Sequence, residues 1–119
     1  MSASSDSVSV HVKITIKPSC TESFLKVLKP TLDATVAEPL NTFIELYRLE
    51  KEPGVFRLVE NWDATADYLR NTQTKKEYYQ SYYAAIQPML LKAPEVEIFD
   101  RMPGNHWVGI KKEAYPDKA

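Results

Sequence analysis

Several residue types from which compact chemical motifs are built are scarce in this chain. There is one cysteine, Cys20, so no internal disulfide can form, and a reducing, cytoplasmic compartment is expected. Three glycines stand apart at 54, 104 and 109, which excludes a glycine-rich phosphate loop. Two histidines, 11 and 106, form no Cys/His cluster with zinc spacing, so no metal site is expected. Charge of one sign is also missing. Fifteen basic and sixteen acidic residues give a net charge of −1, with Lys and Arg scattered rather than in a stripe. That excludes nucleic acid as the natural partner. No apolar run approaches membrane-spanning length, so no membrane partner is expected. The opening "MSASSDS" lacks the basic and apolar regions of a secretory signal.

What is present suits one folded domain over residues 1–119. The chain is 44% hydrophobic and 26% charged, enough to bury a core. Residues 1–6 are small and polar and are expected to fray. In "SVSVHVKITIK" (7–17), Val8, Val10, Val12, Ile14 and Ile16 alternate with Ser9, His11, Lys13 and Thr15. Such alternation predicts a strand with one buried face. Ser19-x-x-Glu22 after Pro18 reads as a capping box that starts a helix. Phe24, Leu28, Leu32 and Val36 follow at helical spacing, with a kink expected at Pro30 and a stop at Pro39.

"TFIELYRL" (42–49) and "VFRLVENW" (55–62) predict a hairpin, with Pro53-Gly54 in the middle of a type II turn. Asp63 or Thr65 can cap a short helix to about Arg70. Thr74-x-x-Glu77 reads as a second capping box, opening a helix on which Tyr79, Tyr82 or Tyr83, and Ile86 share a face. "EVEIFDR" (95–101) is a fourth strand. The domain core is therefore 7–101. An extension, 102–119, carries a possible short strand around Trp107–Ile110.

This order gives an α+β, ferredoxin-like fold: a four-stranded antiparallel sheet with helices on one face. Both faces of the hairpin are partly apolar. Phe43, Glu45, Tyr47 and Leu49 point one way; Ile44, Leu46 and Arg48 point the other. A chain this short cannot cover both, so the expected partner is a second copy, with the extension contacting it.

Glu60-x-Trp62 at the end of the third strand, the stretch "ADYLRN" after it, and the tyrosine-rich "YYQSYY" resemble the antibiotic biosynthesis monooxygenase family of dimeric α+β barrels. The resemblance covers about residues 8–101. Family members commonly place a His nine residues after the Trp, where this chain has Asn71. A haem-degrading branch of the superfamily uses a His on that helical stretch. Neither His11 nor His106 lies there, so haem chemistry is not expected. The resemblance implies a cofactor-independent oxygenase of polycyclic, anthrone-like aromatic polyketides in secondary metabolism. It needs no metal or flavin, because a deprotonated, electron-rich substrate reduces dioxygen directly. The protein must bind a flat aromatic, favour its anion, and offer hydrogen-bond donors.

The expected catalytic residues are His11, Asn71 and Trp62. The expected substrate contacts are Tyr47, Glu60, Tyr78, Tyr79, Tyr82, Arg101, His106 and Trp107. Each also has a structural reading. Trp62 can be a core residue whose N–H finds a partner. Glu60 can pair with a cation, or, if buried, act as a base with a raised pKa. Asn71 can simply end the first short helix. The tyrosines can be packing, and Arg101 a surface ion pair. His11 could deprotonate a phenol only if the polar side of its strand faces the helices. Two rival functions remain open: a non-oxidative polyketide cyclase or isomerase using the same pocket, and a small-molecule-binding or stress-response dimer without turnover.

Overall fold

A computed structural model describes residues 6–116. The expected fraying of residues 1–6, Asp6 apart, lies outside the described residues, as does the end of the extension. Four strands, β1 (Val8–Thr15), β2 (Asn41–Arg48), β3 (Val55–Trp62) and β4 (Glu95–Asp100), form one sheet. Every pairing is antiparallel and the strand order is β2-β3-β1-β4. Three α-helices complete the domain: α1 (Thr21–Val36), α2 (Ala66–Asn71) and α3 (Glu77–Ile86). This is the ferredoxin-like order expected from the sequence.

The register decides which side chains meet the helices. Val10 faces Glu60 and Ile98 across the ladder; Val12 faces Leu58 and Val96; Ile44 and Leu46 sit beside Glu60 and Leu58. These positions share one face because side chains alternate along a strand. On that face Ile14, Ile16, Phe56 and Leu58 pack with Phe24 and Leu28 of α1 and Tyr82 and Ile86 of α3. A second cluster joins Val8 and Trp62 to Ala64 and to Leu69 of α2. The opposite face carries Ser9, His11, Phe43, Tyr47, Val59 and Phe99, none of which belongs to either core cluster.

Four local expectations are corrected. Ser19 lies inside a 3₁₀ turn, Pro18–Cys20, so α1 starts later and has no side-chain cap. There the Thr21 hydroxyl donates to the Pro18 carbonyl at 2.8 Å. Thr74 is likewise inside a 3₁₀ turn, Gln73–Lys75; its hydroxyl donates back to Arg70 O at 3.0 Å, and α3 begins without a side-chain cap. In the hairpin the left-handed residue is Lys51, with φ 66°, so Pro53-Gly54 is not a type II turn. Gly54 is required for another reason: a Cβ there would collide with the Ile16 carbonyl, where Ile16 N–H donates to Gly54 O at 2.8 Å. The extension forms no strand at Trp107–Ile110; a 3₁₀ turn lies at Lys112–Ala114. Helix α1 is one element that runs through Pro30, which lies on the exposed side with Lys26, and it ends before Pro39 as expected. Thr65 caps α2, its hydroxyl accepting from Tyr68 N–H at 3.0 Å.

Candidate active site

Glu60 and Trp62 are two residues apart on β3, so both project to the helical side. The Trp62 indole N–H donates to Glu60 Oε1 at 3.0 Å, and both residues are buried. No cation pairs with Glu60 among the described residues. Burial pushes its carboxyl up from the usual range to about 7, against the smaller opposing effect of the indole bond. A group poised there can hold or release a proton near neutral pH.

Glu60 stands in the shared wall of two chambers under the helices. The larger, about 350 Å³, lies between the sheet and the α1/α3 pair. Its walls are apolar (Val12, Leu28, Leu32, Ile44, Leu58 and Ile86) except for Glu60, Gln87, two threonines and Tyr79, Tyr82 and Tyr83. The smaller, about 190 Å³, lies toward α2 and is lined by Val10, Trp62, Leu69, Gln73 and Ile98, with Arg70 and Thr74. Val12, Glu60, Tyr79, Tyr83 and Val96 border both. A concave, largely apolar site with a few convergent polar groups and one perturbed titratable group is what small-molecule chemistry needs.

The tyrosines divide by role. Tyr79 Oη and Thr35 Oγ1 are 3.0 Å apart and bond each other, so this phenol is engaged. Tyr82 Oη is buried with no partner. Burial is the main cause that holds both phenols protonated, with Glu60 adding to it. Tyr82 lines the larger chamber, and its O–H is a buried donor that no described group satisfies. Tyr83, which borders both chambers, is 40% exposed.

Other expected residues are placed elsewhere. His11 is out of phase with Val10 and Val12, on the sheet face away from the helices. It packs on Phe99 with ring centroids 4.7 Å apart, and its Nε2 is 3.1 Å from Ser9 Oγ. Its condition for acting as the base of this cavity is not met within one chain. Asn71 is exposed at the end of α2 and lines neither chamber. Tyr47, also on the far face, donates to Glu45 Oε1 at 2.9 Å. Tyr78 lines a shallow outer groove between α1 and α3. Arg101 bonds Ser7, and His106 and Trp107 are exposed on the extension. Thus the structure gathers Glu60, Trp62, Tyr79 and Tyr82 from the expected set and leaves the rest apart. Among the described residues no three His, Cys, Asp or Glu side chains converge as a metal site would require.

Two buried or paired groupings had no sequence signal. Gln73 sits in the polar run "NTQTKK" but is 2% exposed. Glu38 receives Lys76 Nζ at 2.8 Å and the Tyr78 hydroxyl at 2.7 Å, tying the end of α1 to the start of α3. The Lys76 hydrogen bond first, and Tyr78 next, hold the Glu38 carboxyl below its usual value. Their separation in sequence, about forty positions, hid the contact.

Comparison with known proteins places this arrangement. The model of the family described as antibiotic biosynthesis monooxygenase matches residues 7–85. A provisionally assigned monooxygenase of Pestalotiopsis microspora is 53% identical over 112 residues, 94% of this chain and 93% of that protein. A provisionally assigned antibiotic biosynthesis monooxygenase of Caulobacter crescentus CB15 superposes with a TM-score of 0.72 at 25% identity, over 83% of this chain and 92% of that one. A conserved protein of Methanosarcina mazei Go1 shares the fold, with a TM-score of 0.75 at 18% identity, over 84% of this chain and 97% of its own. No helix among the described residues is long and apolar enough to cross a membrane.

Proposed function

The chain belongs to the antibiotic biosynthesis monooxygenase family, and on that premise we propose that it is a cofactor-independent oxygenase of a flat, anthrone-like aromatic polyketide in secondary metabolism. The observation that carries the reading is Glu60, a buried carboxyl raised to about 7 in the wall of an apolar cavity. An activated CH₂ between aromatic rings loses a proton to the Glu60 carboxylate. Trp62 N–H orients that carboxylate. The Tyr82 O–H, without a protein partner, supports the enolate oxygen that forms. The carbanion gives one electron to dioxygen, and the resulting radical pair joins as a peroxide. Proton uptake and loss of water, with the second C–H proton, leave a carbonyl. The balance is CH₂ plus O₂ to C=O plus H₂O. The site works as a homodimer, joined through the sheet face that bears Phe43, Val59 and Phe99.

The test is dioxygen uptake by metal-stripped protein on a panel of anthrones and hydroxynaphthalenes, without added cofactor. Uptake well above the uncatalysed rate, with quinone formed, is expected. Glu60→Gln should lower it about 100-fold or more, the usual scale for a lost general base. Substrate loss that persists without oxygen would replace this reading with a cyclase or isomerase. No turnover on any member, with ligands still bound, would favour a binding dimer.

A further inference from the structure

We propose that substrate reaches Glu60 through the gap between α3 and the edge strand β4, and that Tyr83, with Val96 on the β4 side, lets only flat aromatic molecules pass. This rests on the aromatic-substrate reading above and adds to it a route and a selecting residue. A buried base needs an opening beside it, and the exposure of the chamber walls locates that opening. In the larger chamber the exposed wall residues are Tyr83 on α3, Gln87 just after it, and Val96 on β4. In the smaller one they are Arg70, Thr74, Tyr83 and Val96. Among the described residues, α1, β1, β2 and β3 give neither chamber an exposed wall residue. Tyr83 and Val96 are the exposed pair common to both walls, and Glu60 borders both chambers as well.

The strand order explains the gap. β4 pairs with β1 and has no strand beyond it. Val96 lies on the helical face, in register with Val12, yet it is 57% exposed. An apolar side chain left open on the covered face marks where the helical cover ends. Tyr83 is held on the other side. Its ring lies 6.1 Å from that of Tyr79 and nearly parallel to it, at 19°, and 5.6 Å from that of Tyr82. Both neighbours are buried, so the ring is a fixed edge of the gap rather than a loose flap. Burial, and next the Glu60 charge, raise the Tyr83 phenol above its usual value, so the phenol lies within electrostatic reach of the carboxylate. A flat polycycle can enter edge first and stack on such a ring, whereas a group standing out of the ring plane collides with it.

The test is stopped-flow quenching of Trp62, which lines the smaller chamber, in a Trp107→Phe background that leaves one tryptophan. The probes are 2,6-dimethylanthraquinone and 2,6-di-tert-butylanthraquinone, which share a flat core but differ in the thickness of both ends. The unmodified gap should admit the dimethyl compound about 10-fold faster or more. Tyr83→Ala, checked for folding by thermal melt, should narrow the ratio to about threefold, and Tyr83→Phe should keep it. A merely structural role for Tyr83 would slow both probes together. Independently, Val96→Cys in a Cys20→Ser background, alkylated with N-phenylmaleimide, should slow entry of the dimethyl compound about 10-fold or more. The same label on Lys26→Cys, exposed on α1, should not. An unchanged rate after alkylation at 96 would overturn the route. Equal rates for the two probes in the Trp107→Phe protein, or a ratio that survives in folded Tyr83→Ala, would overturn the selecting role while leaving the aromatic reading intact. If neither probe binds, the aromatic reading falls and this inference with it.

Discussion

In the proposed reaction Glu60 links stability and reactivity through one proton. Its folded-state pKa is raised to about 7, so the folded protein binds this proton more tightly than the unfolded chain does. Stability from that difference is fully present below the unfolded value of about 4.5 and is lost as pH rises through about 7. The loss is on the order of 3 kcal/mol. Chemical denaturation at pH 4.5 and 7.5 should show wild type losing stability over this window and Glu60→Gln losing distinctly less. The rate should run the opposite way, because the base works only when ionised. Trp62→Phe removes the one bond that lowers this pKa, so the rising limb of the pH–rate profile should move to higher pH, with little loss of rate on the alkaline plateau. An unmoved limb would mean that the indole does not tune the carboxylate. At this scale the sequence was partly legible. Glu-x-Trp marked the pair, since period two puts both side chains on one face. His11 was misleading because its strand alternates cleanly, and only the partner strands show which face the helices cover. Gln73 was not legible at all, because its burial arises from a clamp assembled across the chain.

Elements were legible where periodicity spoke and opaque where capping chemistry had to choose. The four strands expected in the core match those formed to within a residue or two, because alternation over six to eight positions fixes a face. Both capping boxes failed for one reason: a 3₁₀ turn took the Ser or Thr before the helix began, so the reciprocal bonds could not close. The Thr65 cap succeeded because its residue is extended (φ −81°, ψ 159°), which aims the hydroxyl at Tyr68 N–H. Helix α2 carries Leu69 and Arg70 of the smaller chamber. Thr65→Ala should cost about 1 kcal/mol and lower the melting temperature by several degrees. Weaker binding of ligands that reach this chamber should accompany it. An unchanged melt would show that tertiary packing alone holds α2.

At the scale of the whole molecule, the sheet face opposite the helices calls for a cover. Tyr47 and Phe99 on it are about half exposed, and Phe43 and Val59 share it. Light scattering at micromolar concentration should give twice the 13.6 kDa chain mass, and Phe99→Glu should shift it toward the single chain. A monomeric wild type would remove the dimer from the account. The pattern of apolar residues on both hairpin faces made this surface visible from sequence, whereas the path of the extension was not, since it lacks any period. The central claim, that one buried carboxyl is poised near neutrality, can be tested without knowing the substrate. The measurement is a carbon-13 NMR titration of the glutamate side-chain carboxyls in wild type and Glu60→Gln. One resonance titrating near pH 7, absent from the variant, is the predicted result; a wild type in which every glutamate titrates in the ordinary range of about 4 to 5 would contradict it.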